Sequence, residues 1–326
     1  MPQSSKLYAV ARLRMLRRQF LTAGQMQRLL SAPDYGQAFK VLQEAGYVQG
    51  DQVDWEGAAA RHALTAARVV SRLSPDASLS DAFLLRHDIY NLKTFFKARI
   101  LETEPEGISL AGTQDPERLR QAVAASRYQG LPTPIMKAMD ALEKQAAIQA
   151  DPMAIDVRLD RALFELMRLA LADSPSRAAR AWLKMKADFI NLLAFLRLQR
   201  ITASLSLAEI VVQGGSIKAS RLAKLQGDPD QLLALYRLPY GRNVVSLAHE
   251  ALENSGRIAE LERVLETLLQ KPFAVNRFKI DSPDAVVSYL LDVERQTAAI
   301  RLIMTGKRNG FSQEAIEERL RAGYGG

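Results

Sequence analysis

Asp88-Ile89-Tyr90-Asn91-Leu92-Lys93-Thr94-Phe95-Phe96-Lys97-Ala98-Arg99 returns 100 residues later as Asp188-Phe189-Ile190-Asn191-Leu192-Leu193-Ala194-Phe195-Leu196-Arg197-Leu198-Gln199-Arg200. The shared frame is Asp-x-x-Asn-Leu-x-x-Phe, then an apolar residue and a base. A weaker copy lies near the end, at Glu294, Ala298, Arg301, Leu302, Ile303 and Lys307. Residues Tyr8-Ala9-Val10-Ala11-Arg12-Leu13-Arg14-Met15-Leu16 match its basic half. Recurrence at a fixed period is the signature of a chain assembled from one supersecondary unit. In each copy the spacing predicts a helix. Its Leu and Phe face other helices, its acid caps or pairs near the positive end, and its bases sit toward the negative end.

A second frame falls between the copies. It runs Leu42-Gln43-Glu44-Ala45-Gly46-Tyr47, then Ala124-Ala125-Ser126-Arg127-Tyr128-Gln129-Gly130, then Leu235-Tyr236-Arg237-Leu238-Pro239-Tyr240-Gly241. Basic helix and tyrosine corner therefore alternate three times, and the terminal helix closes the series. The expected division is 1–80 with 280–326 as a first unit, 81–180 as a second and 181–279 as a third. These units would be related by a pseudo-threefold.

The stretches between the frames are helical too. Ile155, Leu159, Ala162, Leu163, Leu166 and Ala170 fall on one face at helical spacing, as do Ile258, Leu261, Leu265 and Leu268. Val286, Leu290, Val293, Ala298 and Ile300 open a C-terminal helix, with Asp281-Ser282-Pro283-Asp284 as its start signal. Ser74-Pro75-Asp76, Glu104-Pro105-Glu106-Gly107, Asp115-Pro116, Asp151-Pro152, Asp173-Ser174-Pro175 and Asp228-Pro229 read as turns or helix starts. The best strand candidate is the short run Ile210-Val211-Val212 before Gly214-Gly215. The expected fold class is all-α.

Composition agrees and narrows the function. The 326 residues are 48% hydrophobic and 25% charged, enough for a real core in two or three modules. With no cysteine, disulfides, thiolate nucleophiles and Cys-based zinc or iron–sulfur sites are excluded. No apolar run approaches the roughly 18 residues that cross a bilayer. Lys6, Arg12, Arg14, Arg17, Arg18 and Arg28 all precede the first acid, Asp34. An Arg-rich, acid-poor start has the composition of a transit peptide, but here it is read as part of the repeat. The formal charge of +8 suits an acidic partner, nucleic acid or anionic lipid without choosing among them.

Catalytic constellations are missing. His62, His87 and His249 lack the three- or four-residue spacing of a helical metal site and are read as exposed or capping histidines. Gly214-Gly215-Ser216 lacks the Gly-Lys-Ser/Thr ending of a phosphate loop and reads as a helix connection. Thr305-Gly306-Lys307-Arg308-Asn309-Gly310 reads as a helix end with a basic last turn. Glu317-Glu318 sits among bases on a solvated helix. No catalytic residue, metal or cofactor is expected. A helical nucleic-acid-binding protein is the alternative, but Phe95, Phe96 and Phe195 lie in apolar runs and read as core rather than stacking platforms.

Leu85-Arg86-His87-Asp88 through Arg99 closely resembles the signature helix of the C subunit of V/A-type rotary ATPases, which eukaryotes call the d subunit. The Asp188/Asn191 helix followed by Gly214-Gly215 looks like that family's next repeat. Ser288 through Lys307 is similar to its C-terminal helix, with Glu294 and Thr297 standing where the other frames have Asp and Asn. Tyr8-x-x-Ala11-Arg12-x-Arg14-x-Leu16 fits its N-terminus. The resemblance implies a funnel of three helical bundles seated on the cytoplasmic end of the membrane rotor ring of proteolipid subunits. The funnel receives the foot of the central stalk, made of the D and F subunits, and transmits rotation without binding nucleotide. It implies a peripheral contact with the membrane surface and no nucleic-acid partner. The bases of the frames, Lys93, Lys97, Arg99, Arg197, Arg200, Arg301 and Lys307, are the candidate partner contacts. Some of them would instead be satisfied by Asp88, Asp188 or Glu294.

Overall fold

The computed structural model describes residues 6–49, 54–74, 76–147, 151–200, 206–274 and 283–324. Sixteen helices occur among them and no strand, so the fold is all-α. In chain order they are α1 (Lys6–Arg17), α2 (Ala23–Ser31), α3 (Tyr35–Glu44), α4 (Trp55–Leu73), α5 (Ala77–Leu101), α6 (Pro116–Ala124), α7 (Thr133–Ala146) and α8 (Pro152–Ala170). There follow α9 (Arg177–Leu198), α10 (Leu207–Ile210), α11 (Ala219–Lys224), α12 (Pro229–Tyr240), α13 (Arg242–Glu253), α14 (Arg257–Ala274), α15 (Asp284–Arg308) and α16 (Gln313–Tyr324). Two compact units form: residues 1–75 with 253–326, and residues 76–252.

Asp-Pro pairs start helices as their chemistry demands. Asp115, Asp151 and Asp228 each accept a backbone N–H of the first turn, at 3.1, 2.9 and 3.0 Å, and the following proline occupies a position whose N–H has no helical partner. At Asp173-Ser174-Pro175 the cap is one residue further on, where Ser176 Oγ accepts from Ala179 N at 2.9 Å. Asp281 and Ser282 of the last start signal, and Pro75 of the first, lie outside the described residues, and α15 begins at Asp284.

In the unit that joins the two chain ends, α15 is covered by α1, α3, α4, α14 and α16. Ile300, Ile303 and Met304 enter a core with Leu29, Leu42, Trp55 and Ile316. Ala298, expected to face inward, is exposed, and its neighbour Ala299 is buried instead. Leu269 likewise replaces Leu268 as the buried residue of α14. A one-residue shift is a rotation of about 100° on a helix, and an alanine or leucine pair leaves that choice to the packing partner.

Gly306 does not end α15, which runs on to Arg308; the chain turns at Gly310, φ +69°. Gly306 is buried in the helix, and a Cβ there would lie 2.7 and 2.8 Å from the Ile316 side chain of α16. Its role is close approach of two helices. Gly306→Ala is therefore expected to lower stability by about 1–3 kcal/mol, even though alanine is the better helix former. In denaturant titrations of a double-mutant cycle with Ile316→Ala, the two changes together should cost less than their sum.

In the unit spanning 76–252, α5 packs on α6 and α8, and α8 on α7 and α9. Leu92, Phe95 and Phe96 of α5 meet Leu119, Met139, Ile155 and Leu159 in one core. The phenylalanines Phe95, Phe96 and Phe195 are all buried, as expected of core residues.

Candidate functional site

Both full copies of the repeated frame lie in the compact unit 76–252, and they do the same thing. Asp88 stands midway along α5 and Asp188 midway along α9, almost fully buried rather than near a helix start. The expectation of a cap near the positive end is corrected: each helix begins about three turns before its frame does. A mid-helix carboxylate has no free N–H of its own helix to reach, so it reaches a loop.

Asp88 accepts from Thr113 N and Gln114 N, both at 3.0 Å, and from Thr113 Oγ1 at 2.6 Å. Asp188 accepts from Ser216 N at 2.8 Å and Ile217 N at 3.1 Å. One turn on, Asn91 pairs with Ser109 through both halves of its amide, donating to Ser109 O at 2.8 Å and accepting from Ser109 N at 2.9 Å. Asn191 does the same with Val212, at 3.0 and 2.8 Å. An amide side chain used this way imitates a neighbouring strand. Val211 and Val212 are buried, but Val212 pairs with a side chain and Val211 N donates to Leu207 O at 3.0 Å, so the expected strand at 210–212 is corrected: Ile210 closes α10 and no ladder forms.

Glycine permits the contact. A Cβ on Gly112 would sit 2.0 Å from Asp88 Oδ1, and one on Gly215 would sit 2.0 Å from Asp188 Oδ1. Gly214-Gly215 is thus a helix connection, as its sequence suggests, with its backbone held close against a carboxylate of its own chain. Sequence reading found the Asp, the Asn and the second glycine pair but missed Gly112, which is single and sits in an unremarkable Ala-Gly-Thr.

The tyrosine corners diverge. Tyr240 donates its hydroxyl to Asp188 Oδ2, and Tyr236 donates to the Asp188 carbonyl at 3.1 Å. Burial and the adjacent carboxylate both push the Tyr240 hydroxyl up. Tyr128 instead donates to Glu143, whose two oxygens also accept from Nη2 of Arg99 at 2.8 and 2.7 Å. Tyr47 stacks on His62, centroids 4.3 Å apart. Burial leaves both repeat aspartates above the ordinary 3.8, despite the hydrogen bonds that pull the other way.

The seven bases divide by environment. Lys93 reaches Asp160 at 2.7 Å and Lys97 reaches Asp156 at 2.8 Å, both acids on α8. Arg99 is taken by Glu143 and by the Val123 carbonyl at the end of α6. Arg200 donates to Ala251 O and Lys307 to Ala32 O. Arg197 and Arg301 are exposed on α9 and α15. Asp88 and Asp188 hold loops rather than these bases, and the α15 acid with ion pairs to Arg17 and Arg295, at 3.0 and 2.8 Å, is Asp292. Lys93, Lys97 and Arg99 meet acids on neighbouring helices rather than Asp88 or Asp188. An acid more than one turn back on the same helix is too far to pair.

The histidines are partly buried, not exposed. Nε2 of His62 lies 3.1 Å from Tyr47 O, His249 faces Asp230 at 3.6 Å, and Nδ1 of His87 meets Ser109 Oγ at 2.9 Å beside the first latch. Among the described residues no group of His, Asp and Glu could hold a metal ion.

Polar side chains here brace loops against long helices, so geometry defines a helical repeat protein with a stiffened frame. A family model for the ATP synthase (C/AC39) subunit matches residues 9–319. The C subunit of the A-type ATP synthase of Halorubrum lacusprofundi is 26% identical over 254 residues, 73% of this chain and 72% of its own length. That of Methanosarcina mazei is 22% identical over 343 residues, covering 97% and 93%. That of Haloferax volcanii is 30% identical over 165 residues, covering 50% and 47%. The chain belongs to the ATP synthase (C/AC39) subunit family, which holds the C subunits of the V/A-type rotary ATPases, and is a structural subunit of such a complex. No helix among the described residues is long and apolar enough to cross a membrane.

Two measurements probe the latches. Gly112→Ala and Gly215→Ala should each destabilise the chain by about 2–4 kcal/mol, because either the loop bonds or the carboxylate must move and a buried polar group loses its partner. Gly227→Ala, with nothing within 4 Å of its Cβ position, should cost far less in the same urea titration. His87 is held down to about 4, from the ordinary 6.5, by burial and then by Arg86. The unfolded chain takes up that proton first, so the stability is complete above pH 6.5 and is lost as pH falls toward 4. The urea midpoint should drop across that window, and less steeply in His87→Gln.

Proposed function

We propose that this chain is the non-catalytic rotor subunit that joins the central stalk to the membrane ion-translocating ring and transmits torque between them. The observation that carries the reading is the family match across residues 9–319, nearly the whole chain. In this reading the units 1–80 with 280–326, 81–180 and 181–279 are three walls of a funnel on the cytoplasmic face. The D and F subunits of the stalk enter it from one side and the proteolipid ring carries it on the other.

The internal mechanics support such a role. Torque transmission needs a body that does not shear. Each latch crosses from a long helix to a loop with four or more hydrogen bonds, so helix and loop move as one. No chemistry is asked of the chain. The bases Lys93, Lys97, Arg99, Arg197, Arg200, Arg301 and Lys307 are the proposed contacts. Arg197, Arg200 and Arg301 are the exposed members of the set.

Reconstitution with the D and F stalk subunits and with a detergent-solubilised ring is the test. All of these should co-sediment as one assembly, and Arg197→Glu with Arg301→Glu should weaken it at least tenfold without altering the chain's own unfolding. Sedimentation of this chain apart from both stalk and ring would overturn the proposal.

A further inference from the structure

The second latch does more than the first. Asp188 holds the Ser216–Ile217 backbone with its carboxylate, and both Tyr236 and Tyr240 bond to the same residue. One buried aspartate thus ties the loop before α11 and the C-terminal half of α12 to a single point on α9. Between those two elements lies a cavity of about 590 Å³. Its apolar wall is Ile217, Leu235, Leu238 and Pro239, and its rim carries Lys218 and Arg221. No carboxylate lines it. Leu238 is 96% exposed, far more than any other large apolar side chain among the described residues.

The bases on the rim of this cavity are uncompensated. Neither Lys218 nor Arg221 has an ion pair among the described residues, and both are exposed. Another cavity in the same unit, about 180 Å³ on α8, is built the opposite way. Asp151 and Glu209 line it beside Arg158 and Arg161, and each arginine is already held, by Gln145 Oε1 and Glu209 O. Lys93, Lys97 and Arg99 are neutralised inside the unit as well. An apolar cleft with two uncompensated cations on its rim is complementary to an apolar side chain flanked by carboxylates.

We propose that the α11–α12 cavity is a docking site for an acidic amphipathic segment of a partner protein, which inserts an apolar side chain beside Leu238 and places carboxylates on Lys218 and Arg221. The cavity is preorganised, because both walls are fastened to Asp188 before any partner arrives. Preorganisation removes part of the ordering cost of binding. The site stands on this unit's own geometry and holds whether or not the stalk-to-ring reading does.

The test uses the full chain and a fluorescent helical peptide of leucine and glutamate at i, i+4 spacing, with a leucine–lysine peptide of the same pattern as its counterpart. The acidic peptide should bind, more weakly as salt rises, and the basic peptide should not. Arg221→Glu and Leu238→Asp change exposed side chains, and each should raise Kd at least tenfold with the unfolding midpoint unchanged. Tyr240→Phe, which leaves every lining side chain in place but removes one of the two tyrosine ties between α12 and Asp188, should raise Kd severalfold. Arg197→Glu, outside the cavity, should leave peptide binding unaltered while still weakening the stalk-and-ring assembly. No binding of the acidic peptide, binding indifferent to residues 221 and 238, or equal dependence on those residues for phosphatidylglycerol vesicles would each overturn the proposal, the last by reassigning the site to lipid.

Discussion

A carboxylate in the middle of a helix is costly unless it is compensated, and here two such carboxylates organise the unit 76–252. A buried aspartate loses the hydration of its charge, and only donors fixed in place can compensate for it. Asp88 and Asp188 find those donors in loop backbone well downstream. The asparagine one turn later satisfies both the N–H and the C=O of one residue in the same loop. Because an unpaired buried donor costs as much as an unpaired acceptor, each partner enforces the position of the other. Irregular backbone becomes as fixed as the helix it leans on.

This arrangement explains why the glycines stand where they do. Backbone and carboxylate approach more closely than a Cβ allows at Gly112 and Gly215. The same logic, with an apolar side chain in place of a carboxylate, governs Gly306 against Ile316 in the other unit. It also explains why the two copies are not redundant. The first latch adds Thr113 Oγ1 and leaves its tyrosine, Tyr128, to Glu143; the second recruits Tyr236 and Tyr240 onto Asp188 and so ties α12 to α9. A repeated frame can therefore keep its brace while its surroundings diverge in surface and charge.

Charge follows burial in the same way. Bases on the inner flanks of α5 are neutralised by acids on α7 and α8, so the net charge of the chain is carried by bases elsewhere. Ion pairs of this partly buried kind contribute alignment between helices more than stability.

Much was legible in the residues alone. Helical class followed from helical periodicity, the Asp-Pro starts from the missing proline N–H, and the kinship from a frame repeated with its Asp, Asn and Phe intact. Local chemistry sufficed for each of these, because each depends on neighbours within a turn or two. Partnerships across the chain were not legible. Which acid meets Lys93, that Gly112 mattered as much as Gly215, that Val212 pairs with an amide rather than a strand, and which alanine of the pair at 298 and 299 faces inward all depend on what lies opposite. That information enters only when helices distant in sequence pack, since burial alone turns an aspartate from a surface charge into a fastening that must find its donors.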